Sequence, residues 1–415
     1  MSSRTLRIAI VGAGPAGLTL GVLLHKRNIP FTIFELRSKP TEEELSKPSG
    51  SLDLHEESGL AALKECGLYE EFCSLCNGEC SEAQKVADKA GNIIYQDEGE
   101  LSNRPEISRH SLTKLFLDHL PEDGIMWNHK LVKCARSPPE ANGGHDKIEL
   151  DFGSNGKHTF DLAIGADGAW SKIRALLTDV RPQYTGVQNV TINIRQLTSR
   201  YRELADFVGT GSFSCLGDHH GVMSQRSVND AARIYLFIST SDERYADTSG
   251  LVNKTPAEAK DQLLVGDQAL FSTWGGKVKE LIASACDDES NDNPSAKLDI
   301  KPLYSLPVGH SWTHQPGATL LGDAAHLFPP WAGEGVNQAM LDALELSRVI
   351  TKAADDKNTL DRLTAQFELG MLARAKEEAV GTAENGEMMF GSEDGAAAMK
   401  AFFEQAYGPN APRPE

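Results

Sequence analysis

IAIVGAGPAGLTLGVLLHKRNIPFTIFE, residues 8–35, decides the fold of this 415-residue chain. An apolar, β-prone run leads into Gly12-x-Gly14-x-x-Gly17, a stretch with helical periodicity follows, and a second β-prone run covers residues 31–35. Strand, turn, helix and strand within about 30 residues are typical of a parallel crossover unit. The sequence therefore predicts a Rossmann-type α/β unit in this part of the chain.

Each of the three glycines has its own role in such a turn. Gly12 permits the tight bend, Gly14 lets the backbone approach a pyrophosphate, and Gly17 lets the helix pack closely on the strand. The start of the helix then offers free N–H groups and a partial positive charge to the phosphates. Glu35 ends the second strand, where its carboxylate can accept hydrogen bonds from ribose hydroxyls. These features predict one tightly bound dinucleotide.

The sequence does not repeat this glycine pattern. GEGVNQ, residues 333–338, begins like a second copy but has glutamine where the last glycine is required. A second dinucleotide-binding domain is therefore not expected. This argues against the disulfide reductases with two such domains, and it weakens the interpretation as a simple NAD dehydrogenase.

The composition restricts the partners. A formal net charge of −18 and a pI near 5.2 repel a phosphate backbone, so we expect no nucleic-acid binding. The uncharged run at residues 8–24 is interrupted by glycines and is short for a spanning helix, so we expect no membrane span. Seven cysteines without a disulfide framework fit a reducing compartment, which predicts a cytoplasmic protein.

Four cysteines lie in ECGLYEEFCSLCNGEC, residues 65–80, which raises the question of a zinc site. Their spacings do not form two C-x-x-C pairs, and the stretch contains no histidine. Cys73, Cys76 and Cys80 fall at helical spacing instead. We interpret them as buried small residues on one helix face and predict no metal site.

The rest of the chain is rich in predicted strands. Residues 84–96 indicate a hairpin, and residues 130–163 indicate an antiparallel meander inserted into the first domain. Strand-like runs between residues 190 and 240 predict an open sheet with one covered face. The polar stretch at 286–297 is expected to form a loop.

Two further motifs follow predicted strands. D-G-x-x-S-x-x-R at residues 167–174 opens a helix, and LLGDAAHLFPPWAGEGVNQAM at residues 320–340 is an apolar, glycine-rich turn with a lone carboxylate at Asp323. With the first glycine pattern, and in this order, they resemble the three motifs of the class A flavoprotein monooxygenases. That family resembles p-hydroxybenzoate hydroxylase in fold, and the aspartate of its third motif binds the ribityl or ribose region of FAD.

Longer blocks resemble, more specifically, the tetracycline destructases, class A enzymes that hydroxylate and inactivate tetracyclines. The blocks are PSGSLDLHEESGLAALKECGL, PEISRHSL, GDAAHLFPPWAGEGVNQAMLDALELS and the C-terminal helix, and the resemblance covers residues 6–392. It implies an α/β fold with a Rossmann-type FAD-binding domain, an inserted β-sheet substrate domain and a C-terminal bridging helix. The corresponding domain limits are 1–177 with 298–356, 178–297 and 357–395, followed by a tail at 406–415 that we expect to be disordered.

The resemblance also implies which residues contact FAD. The turn at 322–337 would lie against the isoalloxazine and the ribityl chain, and N–H groups at the following helix start would stabilise reduced flavin. His326 is interpreted as a structural residue of this turn. For Arg37 and Lys47, contact with cofactor phosphates and a solvated surface position both stay open. The expected FAD contacts are Gly12, Gly14, Pro15, Ala16, Gly17, Glu35, Arg37, Lys47, Asp53, Arg109, Asp167, Gly168, Gly322, Asp323, Pro330, Gly333, Gly335, Val336 and Asn337.

The expected substrate contacts match the family less well. Near Arg195, Phe213 and Tyr235 the family has a glutamine, an arginine and a histidine, whereas Asn385 and Met389 do match its pattern. These departures leave open whether tetracycline is the natural substrate. For Trp331, stacking on a planar substrate and packing between domains both stay open. The expected substrate-binding residues are Arg195, Phe213, Tyr235, Trp331, Asn385 and Met389.

The resemblance implies an FAD-dependent monooxygenase that uses NADPH as a transient reductant, although the sequence does not separate NADPH from NADH. O2 would form a flavin C4a-hydroperoxide that attacks an electron-rich phenol or enol of a planar substrate, so no side chain need act as a nucleophile. We expect a monomer. A flavin-dependent oxidase or reductase remains an alternative, as does a flavoprotein that sequesters a drug without converting it. A Baeyer–Villiger enzyme is disfavoured because the sequence lacks F-x-G-x-x-x-H-x-x-x-W.

Overall fold

A computed structural model describes residues 6–47, 49–76, 83–99, 105–137, 147–227, 229–353 and 356–407. The strands are β1 Ile8–Val11, β2 Phe31–Phe34, β3 Ser51–Asp53, β4 Gln84–Asp88, β5 Ile93–Gln96, β6 Glu106–Ser108, β7 Ile125–Met126, β8 Lys133–Ser137, β9 Lys147–Asp151, β10 Lys157–Phe160, β11 Leu162–Gly165, β12 Gln183–Ile194, β13 Ser212–Gly217, β14 His220–Ser227, β15 Ala231–Ser239, β16 Asp299–Ser305 and β17 Ala318–Leu320. The helices are α1 Pro15–Lys26, α2 Glu42–Ser46, α3 Gly59–Cys66, α4 Tyr69–Leu75, α5 Arg109–Leu117, α6 Leu197–Arg200, α7 Arg202–Val208, α8 Tyr245–Thr248, α9 Pro256–Leu264, α10 Gly276–Asp292, α11 Gly335–Ala353, α12 Lys357–Phe390 and α13 Gly395–Tyr407.

The first sheet is parallel and has the order β17-β11-β1-β2-β7. Its strands are buried, apolar and covered by helices such as α1 and α11, as a parallel sheet requires. The chain leaves β1 towards β2 on one side and returns as β11 on the other side. The carboxyl end of β1 is therefore a topological switch point, where open α/β sheets bind their ligands.

All the predicted cofactor motifs follow strands of this sheet at the same edge. The Gly12 turn follows β1, Glu35 follows β2, Asp167 follows β11 and Asp323 comes three residues after β17. Parallel strands place their carboxyl ends together, so residues that are more than 300 positions apart in the sequence lie at one edge. The predicted Rossmann-type α/β fold is confirmed.

A second, mixed sheet has the order β16-β12-β15-β14-β13-β4-β5. We call the side that bears Ile234 and Leu236 the back face, and it packs on α9 and α10 around a closed apolar core. We call the side that bears Tyr235 and Phe237 the front face, and it packs on the end of α12 and on α13. Since side chains alternate along a strand, each position of β15 belongs to one face only.

Two smaller sheets complete the fold. Strands β8, β9 and β10 form the antiparallel meander predicted for residues 130–163. Strands β3 and β6 pair antiparallel and place residues 51–53 beside residues 106–108. The predicted hairpin at residues 84–96 also forms, as β4 and β5. Its first strand pairs with β13, so these residues extend the second sheet although they precede the predicted domain limit at residue 177. That division into domains stays a prediction.

The loop predicted at 286–297 is wrong for its first half. Helix α10 continues to Asp292 because its acidic residues have protein partners. Asp288 is buried and pairs with Arg195 and Arg200, while Cys286 packs in the back-face core. A run of acidic residues is polar by composition, yet charge pairing allows it to stay helical.

The interpretation of the cysteines as buried residues on one helix face is wrong for Cys73 and Cys76. Cys73 is exposed on α4 and Cys76 is half-buried just after that helix, while Cys80 lies outside the described residues. Within the described ranges no group of three or more His, Cys, Asp or Glu residues is arranged to hold a metal ion.

Helix α13 extends to Tyr407, two residues into the predicted tail, and residues 408–415 lie outside the described part. No helix in the described part of the chain is both long and apolar enough to cross a membrane.

Candidate functional site

The turn after β1 needs glycine for steric reasons. Gly12 has φ +108°, and a Cβ there would lie 2.1 Å from the Ala166 carbonyl oxygen. A Cβ on Gly17 would lie 2.0 Å from the Gly12 carbonyl oxygen, so α1 packs directly on the turn. A Cβ on Gly14 would meet nothing within 4 Å. The open side at Gly14, with Pro15 at the first position of α1, leaves the helix N-terminus accessible to an anion.

Glu35 is held by backbone donors at the end of β2. Its carboxylate accepts hydrogen bonds from the N–H of Ala13 at 2.8 Å and the N–H of Arg37 at 3.0 Å, and the residue is buried. An ionised carboxylate has about four acceptor sites, so capacity remains for two ribose hydroxyls. The side chain of Arg37 itself is exposed, which agrees with either role left open for it.

The Asp167–Gly168 turn places a second carboxylate at the same sheet edge. Asp167 Oδ2 accepts a hydrogen bond from the Lys172 N–H at 2.7 Å, whereas its buried Oδ1 has no partner within the described structure. Burial raises the pKa of Asp167, and hydrogen bonds from the following turn act against that shift. Gly168 has φ +75°, and a Cβ there would meet nothing within 4 Å. The turn therefore has an unsatisfied oxygen and open space beside it.

Asp323 lies in the turn after β17. Its side chain is accessible, and no residue in the described ranges donates a hydrogen bond to its carboxylate. The surrounding protein desolvates the group and raises its pKa, while the positive charges of His326, Arg109 and Arg174 act in the opposite direction. An accessible carboxylate without a protein donor is suited to accept hydrogen bonds from hydroxyls of a ligand.

Arg174 is a site residue to which the sequence analysis gave no role. Its buried guanidinium donates to the carbonyl oxygens of Ala324 at 2.8 Å, Ala169 at 2.9 Å and Asp323 at 3.1 Å. Burial lowers its pKa, and the carboxylates of Asp167 and Asp323 offset this in part. Arg174 therefore connects the second motif, residues 167–174, to the third motif, residues 320–340, through these hydrogen bonds. The signal was the final arginine of D-G-x-x-S-x-x-R, but two of its three partners, Asp323 and Ala324, lie about 150 positions away in sequence.

A buried polar cluster on α11 and α12 holds the Gly322 turn in place. Asp342 of α11 accepts hydrogen bonds from the Gly322 N–H at 3.0 Å and from His326 Nε2 at 2.6 Å, and it lies 3.3 Å from Arg374 of α12. Burial disfavours the charged imidazole, but Asp342 outweighs that effect, so the pKa of His326 is raised. The predicted structural role of His326 agrees with these contacts. Asp342 and Arg374 could not be identified from the sequence because no motif contains them.

Asn337 is buried, and its side chain is held by three hydrogen bonds. Its Oδ1 accepts from the His55 N–H at 2.9 Å and from Ser58 Oγ at 3.2 Å, and its Nδ2 donates to the Asp53 carbonyl oxygen at 3.0 Å. Asn337 thus joins the start of α11 to the end of β3. Its predicted cofactor contact stays a prediction. The Asp53 carboxylate lies 3.1 Å from His55 Nε2 and close to Gly333.

The remaining predicted cofactor residues surround the same edge. Pro330 and Gly333 are exposed, and Val336 is half-buried against the core. A Cβ on Gly335 would meet nothing within 4 Å, so the start of α11 is open. Ala16 is buried, in contact range of a Cβ placed on Gly322.

Two predicted cofactor cations lie further out. Arg109 begins α5 with an exposed side chain, and its backbone N–H donates to the Gly50 carbonyl oxygen at 2.9 Å. Its positive charge acts to lower the pKa of both Asp323 and Tyr235, against the effect of burial. Lys47 pairs with Glu43 at 3.3 Å on the surface. The surface interpretation of Lys47 therefore agrees with its contacts, and its role at a cofactor stays a prediction.

Four of the six predicted substrate residues lie together on the front face. The ring of Trp331 is 5.7 Å from that of Phe237, and Asn385 Nδ2 donates to the Trp331 carbonyl oxygen at 3.3 Å. Met389 is buried in the same cluster, and Tyr235 packs at its edge. The turn that follows Asp323 is thus joined to the second sheet and to α12.

Arg195 and Phe213 are the corrections. Phe213 is fully buried on the back face, with its ring 4.9 Å from that of Phe207, because strand alternation turns it away from the front face. Arg195 directly follows β12, and its N–H and its guanidinium both bind carboxylates of α10. Neither side chain is available to a substrate on the front face.

These residues fit FAD on structural grounds. The helix N-terminus is open at Gly14, Glu35 retains acceptor capacity, Asp167 Oδ1 is unsatisfied, and Asp323 has no protein donor. Phosphate, ribose and ribityl groups supply the anions and hydroxyls that such an arrangement can bind.

Comparisons with known proteins give the same assignment. A protein-family model described as "FAD binding domain" matches residues 5–274 and 305–366. The chain is 36% identical to monooxygenase penA of Penicillium thymicola over 367 residues, covering 82% of this chain and 84% of that protein. It is 34% identical to monooxygenase asqM of Emericella nidulans over 376 residues, covering 83% of this chain and 84% of that protein. The crystal structure of tetracycline destructase Tet(51) superposes with a TM-score of 0.66 at 15% identity, covering 99% of each chain.

Proposed function

Because the chain belongs to the FAD-binding-domain family and is an FAD-dependent monooxygenase of that family, we propose that it hydroxylates an electron-rich, planar phenol or enol with NADPH and O2. The observation that carries the proposal is the position of the Asp323 turn. The same turn bears an accessible carboxylate suited to FAD and, eight residues later, Trp331 in contact with the front face. Cofactor and substrate would therefore meet at this turn.

The protein residues have distinct tasks in this proposal. Glu35, Asp167 and Asp323 hold FAD through its hydroxyl groups, and the start of α1 holds its phosphates. When bound, FAD accepts electrons from the nicotinamide and activates O2. The chain itself need supply no nucleophile, because its contribution is to position a substrate next to the cofactor.

The front face supplies an apolar, aromatic wall for a planar substrate. Phe237, Met389 and Phe390 are buried there, and the Trp331 ring lies 5.2 Å from that of Phe390. Such a wall keeps water away from a reactive oxygen species. Tyr235 and Asn385 add hydrogen-bonding groups at its border. This composition favours a planar, polycyclic substrate that places an apolar face against the wall.

A tetracycline or another aromatic polyketide is the substrate class that we propose. The resemblance of the sequence blocks around Asp53 and Asp323 to the tetracycline destructases supports it. The replacement of three polar family positions by Arg195, Phe213 and Tyr235 argues for a different natural substrate within that class. Two of these positions face away from the front face, so the difference is concentrated at Tyr235.

Anaerobic reduction of the bound flavin tests the proposal. Oxidised holoenzyme is mixed with NADPH or NADH, with and without a tetracycline, and flavin absorbance is followed before oxygenated buffer is added. We expect NADPH to bleach the flavin, more rapidly when a substrate is present, and the substrate to gain one oxygen atom. Arg244→Gln, a change of an exposed side chain, serves as the control variant.

The other outcomes separate the rival functions. Hydrogen peroxide equal to the NADPH consumed, with every substrate unchanged, would identify an oxidase. A stoichiometric loss of free drug without a product would identify a sequestering protein. Flavin that neither nucleotide can reduce would contradict the monooxygenase proposal.

A further inference from the structure

Arg233 is a charged residue on the front face that neither the motifs nor the resemblance identified. It alternates with Ile234 of the back face and shares the front face with Tyr235. Its guanidinium carbon lies 5.8 Å from the centre of the Tyr235 ring, and the side chain is half-buried. Nowhere in the described ranges does a carboxylate lie within ion-pair distance of it.

The absence of a carboxylate partner distinguishes Arg233 from its neighbours on the second sheet. Arg195 pairs with acidic residues of α10, and Arg226 pairs with Asp230 at 2.7 Å. Half-buried guanidinium groups are stable when an anion or several acceptors satisfy their donors. Across the adjoining strands Arg233 lies opposite the uncharged residues Gln225 and Asn193, and the Tyr235 ring lies beside it on the same face. An anionic ligand would supply the charged partner that no carboxylate in the described ranges supplies.

Tyr235 and Arg109 extend the same polar region towards the turn at 322–337. The Tyr235 hydroxyl lies 3.4 Å from Gln225 Oε1, and a Cβ on Gly50 would be 3.5 Å from it. The backbone N–H of Arg109 donates to the Gly50 carbonyl oxygen at 2.9 Å, so α5 begins beside Tyr235. Burial raises the pKa of Tyr235, and the positive charges of Arg233 and Arg109 oppose that shift. The Glu106 carboxylate acts in the same sense as burial, and it accepts a hydrogen bond from Ser51 Oγ at 2.6 Å.

We propose that Arg233, together with Tyr235 and Arg109, forms a subsite that binds an anionic oxygen of the substrate. This inference rests on the proposed function, because it places the subsite at the border of the aromatic wall where the substrate would lie. The anionic oxygen belongs either to an ionised phenol or enol or to a carboxylate. Arg233 can hold either one with paired N–H donors, and the Tyr235 hydroxyl can turn its single O–H from Gln225 Oε1, 3.4 Å away, to the bound oxygen.

The subsite also orients the substrate. Residues 50–53 connect the two regions, because Gly50 lies beside the Tyr235 hydroxyl and the Asp53 carboxylate lies beside Gly333. An anion held by Arg233 and Tyr235 is therefore placed at the side of the front face that borders the turn at 322–337. The apolar remainder of the substrate then extends along Phe237 and Trp331. A planar, neutral molecule of equal size would have the same apolar contacts but would leave Arg233 unsatisfied.

Equilibrium binding of three planar probes to oxidised holoenzyme, without any reductant, tests the proposal. The probes are 7-hydroxycoumarin, which ionises near neutral pH, 7-methoxycoumarin, which cannot ionise, and coumarin-3-carboxylate. Binding is followed through the change in flavin absorbance. We expect at least one anion to bind about tenfold to a hundredfold more tightly than 7-methoxycoumarin, the range expected for hydrogen bonds to a charged group.

Variants assign that preference to Arg233. Arg233→Gln should remove the preference while the affinity for 7-methoxycoumarin stays within about twofold, Arg233→Lys should keep part of it, and Arg244→Gln should keep all of it. A preference for 7-hydroxycoumarin only at alkaline pH identifies a phenolate site, and a preference for coumarin-3-carboxylate identifies a carboxylate site. If Arg233→Gln fails to retain FAD, the wild-type preference and the partial effect of Arg233→Lys decide the question.

Three results would overturn the subsite: equal binding of the anions and 7-methoxycoumarin, a preference that survives Arg233→Gln, and no binding of any probe. Because no electron transfer occurs in this experiment, its failure is distinguishable from failure of the monooxygenase proposal. An enzyme that oxygenates a substrate yet shows no anion preference would keep its proposed function and lose only the subsite.

Discussion

Replacing Asp342 by asparagine should destabilise the protein in a manner that depends on pH. Asp342 is fully buried, and three groups converge on its carboxylate: the Gly322 N–H, His326 Nε2 and the Arg374 guanidinium. Asparagine keeps an acceptor for Gly322 but removes the negative charge. Removing one partner of a buried ion pair costs about 3–5 kcal/mol. The retained hydrogen bond is worth roughly 1 kcal/mol, so we expect a loss of about 2–4 kcal/mol.

The sign of the pH dependence follows from His326. Asp342 raises the pKa of His326 in the folded protein above its ordinary value, although burial acts against this. The stabilising contribution of the pair is therefore complete below the unfolded pKa of about 6.5. It is lost as the pH rises through the raised folded pKa. The difference between wild type and Asp342→Asn should be largest in mild acid and should shrink at alkaline pH.

The assay is urea unfolding of both proteins at saturating FAD, at one pH below 6.5 and one well above it. Glu345→Gln is the matched control, because Glu345 also pairs with Arg374 but is partly exposed and does not contact His326. Its loss should be about 0–1 kcal/mol, as for exposed pairs, and independent of pH. A loss in Asp342→Asn below about 1 kcal/mol, or one that does not change with pH, would refute the buried charge pair.

Four further changes test other parts of the site. Gly12→Ala should abolish FAD retention, measured as the flavin-to-protein absorbance ratio, because its Cβ would lie 2.1 Å from the Ala166 carbonyl oxygen; a variant with a full complement of FAD would contradict the steric argument. Arg174→Lys should lower the melting temperature and weaken FAD binding, since lysine cannot bind three carbonyl oxygens as a planar fork does, and unchanged FAD affinity would remove its bracing role. Trp331→Ala should retain FAD but weaken binding of a planar substrate about tenfold or more, measured by flavin perturbation, and equal affinity would show that Trp331 only packs between elements. Arg195→Gln should leave substrate affinity unchanged, because its guanidinium binds α10 instead of facing the front face.

The cofactor site was predictable because local backbone rules fix it. Gly12 must be glycine wherever a strand turns this tightly into a helix, and Glu35 must end the next strand. These constraints act within about 30 residues and therefore leave a pattern in the sequence. Asp323 is distant in sequence, but it follows a strand of the same parallel sheet, so its position was predictable once that sheet was predicted.

The substrate-binding residues were less predictable because a shift of one residue in strand register moves a side chain to the opposite face of the sheet. Phe213 lies on the back face, whereas its neighbours Ser212 and Ser214 face the other way. The orientation of the Arg195 side chain depends on ion pairs with acidic residues of α10, and the composition of that segment predicts a loop instead of a helix. Arg233 was overlooked because an arginine within a β-strand resembles a surface residue until the packing of both faces is known.

Buried polar contacts between distant segments leave the weakest sequence signal. Asp342 lies on the buried face of α11, where the helical period predicts an apolar residue, and its three partners come from two other segments. No spacing rule connects Arg374 of α12 to Gly322. Such contacts are determined by the tertiary structure, although they support the turn on which the proposed chemistry depends.

The most direct test of the central claim is the mass of the product formed under 18O2. Holoenzyme, NADPH and a tetracycline are incubated under labelled oxygen, and the drug is then analysed by mass spectrometry. The proposed monooxygenation predicts a product heavier by one labelled oxygen atom, in an amount that tracks the NADPH consumed after peroxide is subtracted. NADPH consumption that yields peroxide alone, for tetracyclines and for the planar phenols and enols tested beside them, would contradict it.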